Sequence, residues 1–221
     1  MKKMMMMVAM TVCCMAASAQ NEVGQLTLQP KIGLNLTSVS GVYTISNPYT
    51  NEKDDGNLKG DFAIGVEAEY GLSEKFSVAA GVLYSCQGKD FGSVKLYNNP
   101  DGSAGWGWDK NVLNLGYLNI PIVANFYFAR NWAIKAGIQP GFLLSAKEKV
   151  DGIGTKESYD KDIKSDYQSF DLSIPLGLSY EYQKVVFDLR YNLGLTKINK
   201  KGDESCKNNV IQFTIGYKFA L

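Results

Sequence analysis

From Phe62 to Leu221 the chain repeatedly alternates apolar side chains with polar, small or charged ones. Phe62, Ile64, Val66, Ala68 and Tyr70 form one such set, interleaved with Ala63, Gly65, Glu67 and Glu69. Ile211, Phe213, Ile215, Tyr217, Phe219 and Leu221 form another, interleaved with Gln212, Thr214, Gly216 and Lys218. Side chains on a β-strand point alternately to opposite faces, so each segment has one apolar and one polar face. A sheet with a continuous apolar face must bury it, and the identity of the buried face decides what kind of protein this is.

The first nineteen residues have a different character. Lys2 and Lys3 precede an apolar run from Met4 to Met15, and Ala17-Ser18-Ala19 follows as a small-x-small cleavage site. This is the three-part pattern of a secretory signal, which places the mature chain at residues 20–221. The apolar run is too short to span a bilayer as a helix. Removing Lys2 and Lys3 leaves 21 of the 23 basic residues against 22 acidic ones, a net charge of −1. No basic tail or patch points to nucleic acid. The mature length suits one domain, and no later stretch is apolar enough for a membrane helix, so any membrane span must be built from strands.

Period two predicts eight strands, over Leu26–Ser38, Gly60–Tyr70, Phe76–Gln87, Leu113–Phe128, Trp132–Ala146, Ser169–Tyr182, Val185–Ile198 and Val210–Leu221. Their connections alternate between short (Gly71 to Lys75, Ala129 to Asn131, Gln183-Lys184) and long. Short turns at one end and long loops at the other are expected of an up-and-down barrel with periplasmic turns and extracellular loops.

The aromatics of the apolar register sort into two groups. Tyr70, Phe76, Phe126, Phe128, Trp132, Tyr180, Tyr182, Phe187, Tyr217 and Phe219 fall beside the short turns or the C-terminus. Phe62, Tyr84, Phe142, Phe170, Tyr191 and Phe213 fall toward the long loops, and aliphatics such as Ile64, Val66, Val82, Ile122 and Ile134 lie between. Two aromatic belts around an aliphatic band match the two interfaces and the hydrocarbon core of a bilayer.

The polar register carries Lys31, Lys135, Arg190 and Lys218 against Glu67, Glu69, Asp171, Glu181 and Asp188, four positive charges against five negative. A single Lys or Arg facing lipid at mid-depth costs about 2–4 kcal/mol. Nine such charges would exceed the whole stability of a domain. They are expected to face inward as a lumen charge network, with the apolar register meeting lipid. Pro30, Pro121, Pro140 and Pro175 fall inside proposed strands of a sheet with no edge, so the ladder is expected to bulge or break there.

Short motifs in order along the chain carry a family resemblance. The segment Tyr117-Leu-Asn-Ile-Pro-Ile-Val-Ala-Asn-Phe-Tyr-Phe128 resembles the YLxIPLLxKYYF strand of the PorT-like outer-membrane β-barrel family. Lys31 to Leu36, Gly81 to Ser85, Ala136 to Ala146 and Leu189 to Thr196 fit the same pattern. The usual lysine of the fourth strand is Asn125 here, so that inward charge is missing. The last strand, with Gly216, Tyr217, Phe219 and Leu221, resembles the C-terminal signal read by the barrel assembly machinery, with Leu221 in place of the usual terminal aromatic. The resemblance implies a Gram-negative outer-membrane protein, and the family's namesake is linked to protein secretion.

Catalytic chemistry finds little support. The chain contains no histidine, which removes the usual general base and every histidine-dependent triad. No P-loop or dinucleotide fingerprint follows a strand, and Cys86 with Cys206 alone cannot complete a metal site. Paired carboxylates such as Glu67 with Glu69 are better read as ion-pair partners than as acid and base, given the matching cations. The polar clusters Asn51 to Asn57 and Asn99 to Gly102 are turn-forming but lack EF-hand spacing. Trp106 and Trp108 are candidates for a loop contact with a partner, or for packing across the barrel mouth. Cys86 and Cys206 are candidates for a disulfide in an oxidising compartment, with two separate thiols as the alternative.

The expected protein is therefore all-β: an eight-stranded antiparallel up-and-down transmembrane β-barrel in the cell outer membrane. It is expected to be monomeric and non-enzymatic, with no cofactor, and to act structurally or through extracellular loops. Its partners are outer-membrane lipid and the barrel assembly machinery. A secretion or envelope-assembly component and a soluble lipocalin-like binding barrel are the alternatives.

Overall fold

Eight long strands follow one another antiparallel, and the last pairs with the first. In the computed structural model, which describes residues 23–41, 45–46, 53–54, 57–93, 106–154, 156–200 and 205–221, they are β1 (Leu26–Ser40), β2 (Lys59–Ser73), β3 (Phe76–Asp90), β4 (Trp106–Asn119 continuing as Ile122–Ala129), β5 (Trp132–Gly154), β6 (Phe170–Tyr182), β7 (Val185–Gly194) and β8 (Lys207–Tyr217). Each pairs with its sequence neighbours, and β1 closes the ring against β8, with Lys31 opposite Gly216 and Asn35 opposite Gln212. The fold is the expected eight-stranded up-and-down barrel. The signal segment and most of the Asn51–Asn57 and Asn99–Gly102 clusters lie outside the described residues. Among the described residues no helix is long and apolar enough to cross a membrane.

The alternation is realised inside out. Lys31 is 3% exposed while its neighbour Ile32 is 60% exposed, and the same contrast repeats around the ring. A soluble lipocalin-like barrel would bury the apolar register, so that alternative is excluded. At the short-turn end the belt aromatics pack against one another, two pairs across neighbouring strands and one along the C-terminal segment. Phe76 and Phe126 have ring centroids 5.0 Å apart, Trp132 and Tyr180 4.8 Å, Tyr217 and Phe219 4.8 Å. At the other end Phe62 pairs with Tyr84 at 6.0 Å and Phe142 with Phe170 at 5.7 Å. Such pairs suit the headgroup regions, where an aromatic ring meets both lipid and water.

Each of the four prolines sits at a gap in a ladder. The β1–β8 ladder stops at Lys31↔Gly216 and resumes at Leu28↔Phe219, skipping Pro30. The β4–β5 ladder skips Pro121 and Pro140 between Asn119↔Gly141 and Ile122↔Ile138. Pro175 falls in the gap between Ser173↔Gln139 and Leu176↔Ala136. The displaced backbone groups find other partners: Ile120 N–H donates to the Pro140 carbonyl at 2.8 Å and Lys218 N–H to Lys184 at 2.7 Å. This is how a sheet without edges accommodates residues that cannot donate.

Most strand boundaries shift by up to four residues from the sequence expectation, β7 ending at Gly194 rather than Ile198, and two differ by more. β4 begins at Trp106 rather than Leu113, and β5 runs to Gly154 rather than Ala146. Their far ends form a projecting hairpin, joined by a short strand Tyr159–Asp162 against Lys147–Val150. These residues are rich in charge and show no apolar alternation, because beyond the bilayer neither face meets lipid. A bulge at Leu144, between Gly116↔Ser145 and Tyr117↔Leu143, reverses which β5 residues face inward. Below it Gln139 and Leu143 are buried. Above it Ala146 and Val150 are buried, and Lys147 and Lys149 are exposed.

Candidate functional site in the barrel interior

Inward-facing side chains fill the barrel in layers, each built from residues of one parity on several strands. Nearest the short turns, Glu69 of β2 is an acceptor hub. The Ser77 and Tyr127 hydroxyls donate to it, Asn125 Nδ2 donates at 3.1 Å, and Lys218 Nζ pairs with it at 3.0 Å. Lys218 also reaches Glu181 at 2.9 Å and donates to the Tyr127 hydroxyl at 3.2 Å.

One layer deeper lies a five-residue ionic cluster. Arg190 of β7 spans the lumen to Glu67 of β2, with Nη1 and Nη2 donating to the two carboxylate oxygens at 2.6 and 2.8 Å. Arg190 also holds Asp188 on its own strand, through Nε at 2.9 Å and Nη2 at 2.6 Å. Lys31 binds Glu67 at 2.5 Å and Asp188 at 3.0 Å, and Lys135 binds Asp188 at 2.7 Å. All five side chains are at least 96% buried. Bidentate guanidinium–carboxylate geometry and additional hydrogen bonds are what a buried charge requires to offset its desolvation.

Above the ionic cluster the interior turns to amides and hydroxyls. Asn35 Nδ2 donates to the Ser85 hydroxyl and the Cys86 carbonyl, both at 2.9 Å, and its Oδ1 accepts from Gln212 Nε2 at 3.0 Å. Gln87 donates to Ser85 at 2.9 Å and accepts from Asn208 Nδ2. Asp171, grouped with the other charges on sequence grounds, belongs to this layer. It accepts from the Thr196 hydroxyl at 2.6 Å, and among the described residues it pairs with no lysine or arginine. The structure thus divides the nine expected charges into five around Arg190, three around Lys218, and Asp171 alone.

At the long-loop end the interior is apolar, which the sequence reading did not anticipate. Val39, Leu113, Leu115, Tyr117, Leu143, Ala146 and Ile198 form one buried cluster, with Phe91, Ile163, Tyr167 and Cys206 packed against it. Leu113, Leu115 and Tyr117 share the parity of Asn119 and Asn125, so the signal was present in β4. Ile163 and Tyr167 come from the β5–β6 connection, which folds across the mouth and which no strand pattern places. Burial there, together with Cys206, Glu148 and Asp166 nearby, pushes the Tyr167 phenol up to about 12.

The remaining candidates separate. Cys86 and Cys206 are not bonded to one another. Cys86 lies level with Asn35, whereas the Cys206 thiol donates to the Gly41 carbonyl at 3.2 Å. Six strand residues between those levels amount to roughly 20 Å, far beyond disulfide reach. Trp108 is buried, with Lys156 Nζ over its ring, 4.3 Å from the centroid. Trp106 opens β4 opposite Gly154. In the C-terminal segment Gly216 faces inward, where an added Cβ would lie 2.6 Å from Gln29 Nε2 and 3.0 Å from Lys31 Cγ. Tyr217, Phe219 and Leu221 point outward to the lipid side.

The profile of the outer membrane protein beta-barrel domain matches residues 18–200. No curated protein matches the chain. Among solved structures, Ail, the attachment invasion locus protein of Yersinia pestis, is 15% identical with a TM-score of 0.45, covering 90% of this chain and 100% of that one. Neisserial surface protein A is 15% identical with a TM-score of 0.45, covering 88% and 97%. The outer membrane protein OprG from Pseudomonas aeruginosa is 13% identical with a TM-score of 0.41, covering 90% and 97%.

Proposed function

Because the chain belongs to the outer membrane protein beta-barrel domain family, we propose that it is an integral outer-membrane barrel whose lumen is closed, acting as a structural element or by binding a protein partner at its extracellular end. The observation that carries this reading is the filling of the interior at successive depths: ion pairs around Lys218 and Arg190, a layer of amides, and an apolar cap under Tyr167. Eight strands leave room for side chains and little else. Water and solutes would have to break buried ion pairs to pass.

The same reading makes the protein non-enzymatic, since histidine is absent from the sequence and its inward carboxylates are engaged by cations or a hydroxyl. The Tyr117–Phe128 strand supports placement with the PorT-like type. The C-terminal strand ending in Tyr217, Phe219 and Leu221 is the segment the assembly machinery would read. Purified protein in planar bilayers tests the closed lumen. Rare, transient openings at most are expected, and a large steady conductance would refute it.

A second reading, a component of a secretion or envelope-assembly system, is favoured by one feature. The β4–β5 hairpin projects past the barrel with an exposed third strand, Tyr159–Asp162. Crosslinking from that strand in intact cells distinguishes the two: recurring capture of secretion or envelope-assembly proteins supports the second reading, and capture of none, or of a protein from outside the cell, supports the first.

A further inference from the structure

The amide layer contains a cavity of about 10 Å³ lined by Asp171, Asn192, Asn208, Asn119, Gln139 and Ser173 among others. Among the described residues, neither amide atom of Asn192, which is 2% exposed, has a hydrogen-bond partner. Asn208 spends its Nδ2 on Gln87, and its Oδ1 is likewise unpartnered. Buried polar atoms without partners cost about 1–3 kcal/mol each, so a group that satisfies several at once is strongly favoured there. The volume admits one water molecule or one bare ion and excludes sugars, phosphates and amino acids.

Charge decides between water and an ion. The cluster around Arg190 has three cations and two anions, and the cluster around Lys218 has one cation and two anions. These cancel, leaving Asp171 as the one uncompensated inward charge of the nine. Lys89, also buried, donates to the Val39 carbonyl at 3.2 Å at the rim rather than to Asp171. A water would satisfy the amides and leave that carboxylate unbalanced in a low-dielectric interior.

We propose that this cavity binds one dehydrated monovalent cation of sodium size, held by the Asp171 carboxylate and the Oδ1 atoms of Asn192 and Asn208. Hard oxygen donors with a single formal charge suit such an ion better than a divalent one, which takes more carboxylates. The ion gives the Asp171 carboxylate the local cationic partner that no described lysine or arginine supplies, and stabilises the barrel by mass action.

The test is thermal unfolding of the full barrel in detergent micelles, in sodium chloride against choline chloride at equal ionic strength. The midpoint is expected to rise saturably with sodium and not with choline. Asp171→Asn should abolish the sodium increment, and Asn192→Leu, which keeps the carboxylate, should weaken apparent sodium affinity roughly tenfold or more. Should Asp171→Asn fail to fold, Asn192→Leu alone decides. Identical midpoints in sodium and choline, as for a bound water or a protonated Asp171, would overturn the proposal. So would an unchanged sodium response in Asn192→Leu, or saturation by calcium chloride in place of sodium.

Discussion

Arg190 and Glu67 project into the lumen from β7 and β2, three strands apart around the ring, and meet through two parallel N–H···O bonds of 2.6 and 2.8 Å. The pair ties together strands separated by β8 and β1, so it braces the ring through its interior where the backbone ladder braces it around its circumference. Replacing Arg190 by Met removes the four hydrogen bonds it donates to Glu67 and Asp188 and leaves those buried carboxylates held by lysine alone. Losing one partner of a buried network costs about 3–5 kcal/mol. Urea unfolding of the protein in lipid vesicles, compared with wild type, should show a loss of that order.

The outward face makes the opposite prediction. Ile64 sits at mid-strand opposite Ile32 in the aliphatic band and is 48% exposed. Ile64→Lys should destabilise the bilayer-inserted barrel by about 2–4 kcal/mol. Measured in vesicles by the same unfolding assay, an unchanged midpoint would mean that the apolar register does not meet lipid.

The apolar cap predicts a conventional core response inside a membrane protein. Leu115 is 1% exposed and packs with Leu113, Leu143 and Ile198. Leu115→Ala should cost about 2–5 kcal/mol through lost transfer energy and the cavity left behind. Limited proteolysis should then cut the β5–β6 connection faster, because Ile163 and Tyr167 rest on that cluster.

Tyr167 supplies a pH signature. Its phenol is shifted upward from 10.0 to about 12, so the neutral form is the one that docks. Docking of the β5–β6 connection is therefore complete below pH 10 and is lost as pH climbs toward 12. An ultraviolet difference titration of wild type against Tyr167→Phe should isolate one tyrosinate with a midpoint near 12; a midpoint near 10 would place the phenol in water.

The cysteines give a yes-or-no outcome. With Cys86 level with Asn35 and Cys206 beside Gly41, the oxidised, purified protein should show the same gel mobility with and without reductant. Two thiols per mature chain, which lacks Cys13 and Cys14, should react with maleimide after denaturation.

Strand identity and facing were legible in the residues alone. Once a backbone is extended, steric geometry sends Lys31 and Ile32 to opposite sides whatever the rest of the chain does, and the cost of a charge in lipid then decides which side is in. The alternation, the two aromatic belts and the proline gaps all follow from that local rule. What it could not decide is which inward groups meet. Glu67 and Arg190 are 123 positions apart, and their contact depends on the stagger with which eight strands close, a property of the whole ring. That same stagger leaves Asp171 without a cation and sets Asn192 beside an internal cavity. The bulge at Leu144 reverses the parity of β5, and the β5–β6 connection folds back to bury Tyr167. These are long-range packing outcomes, visible only when the barrel is closed.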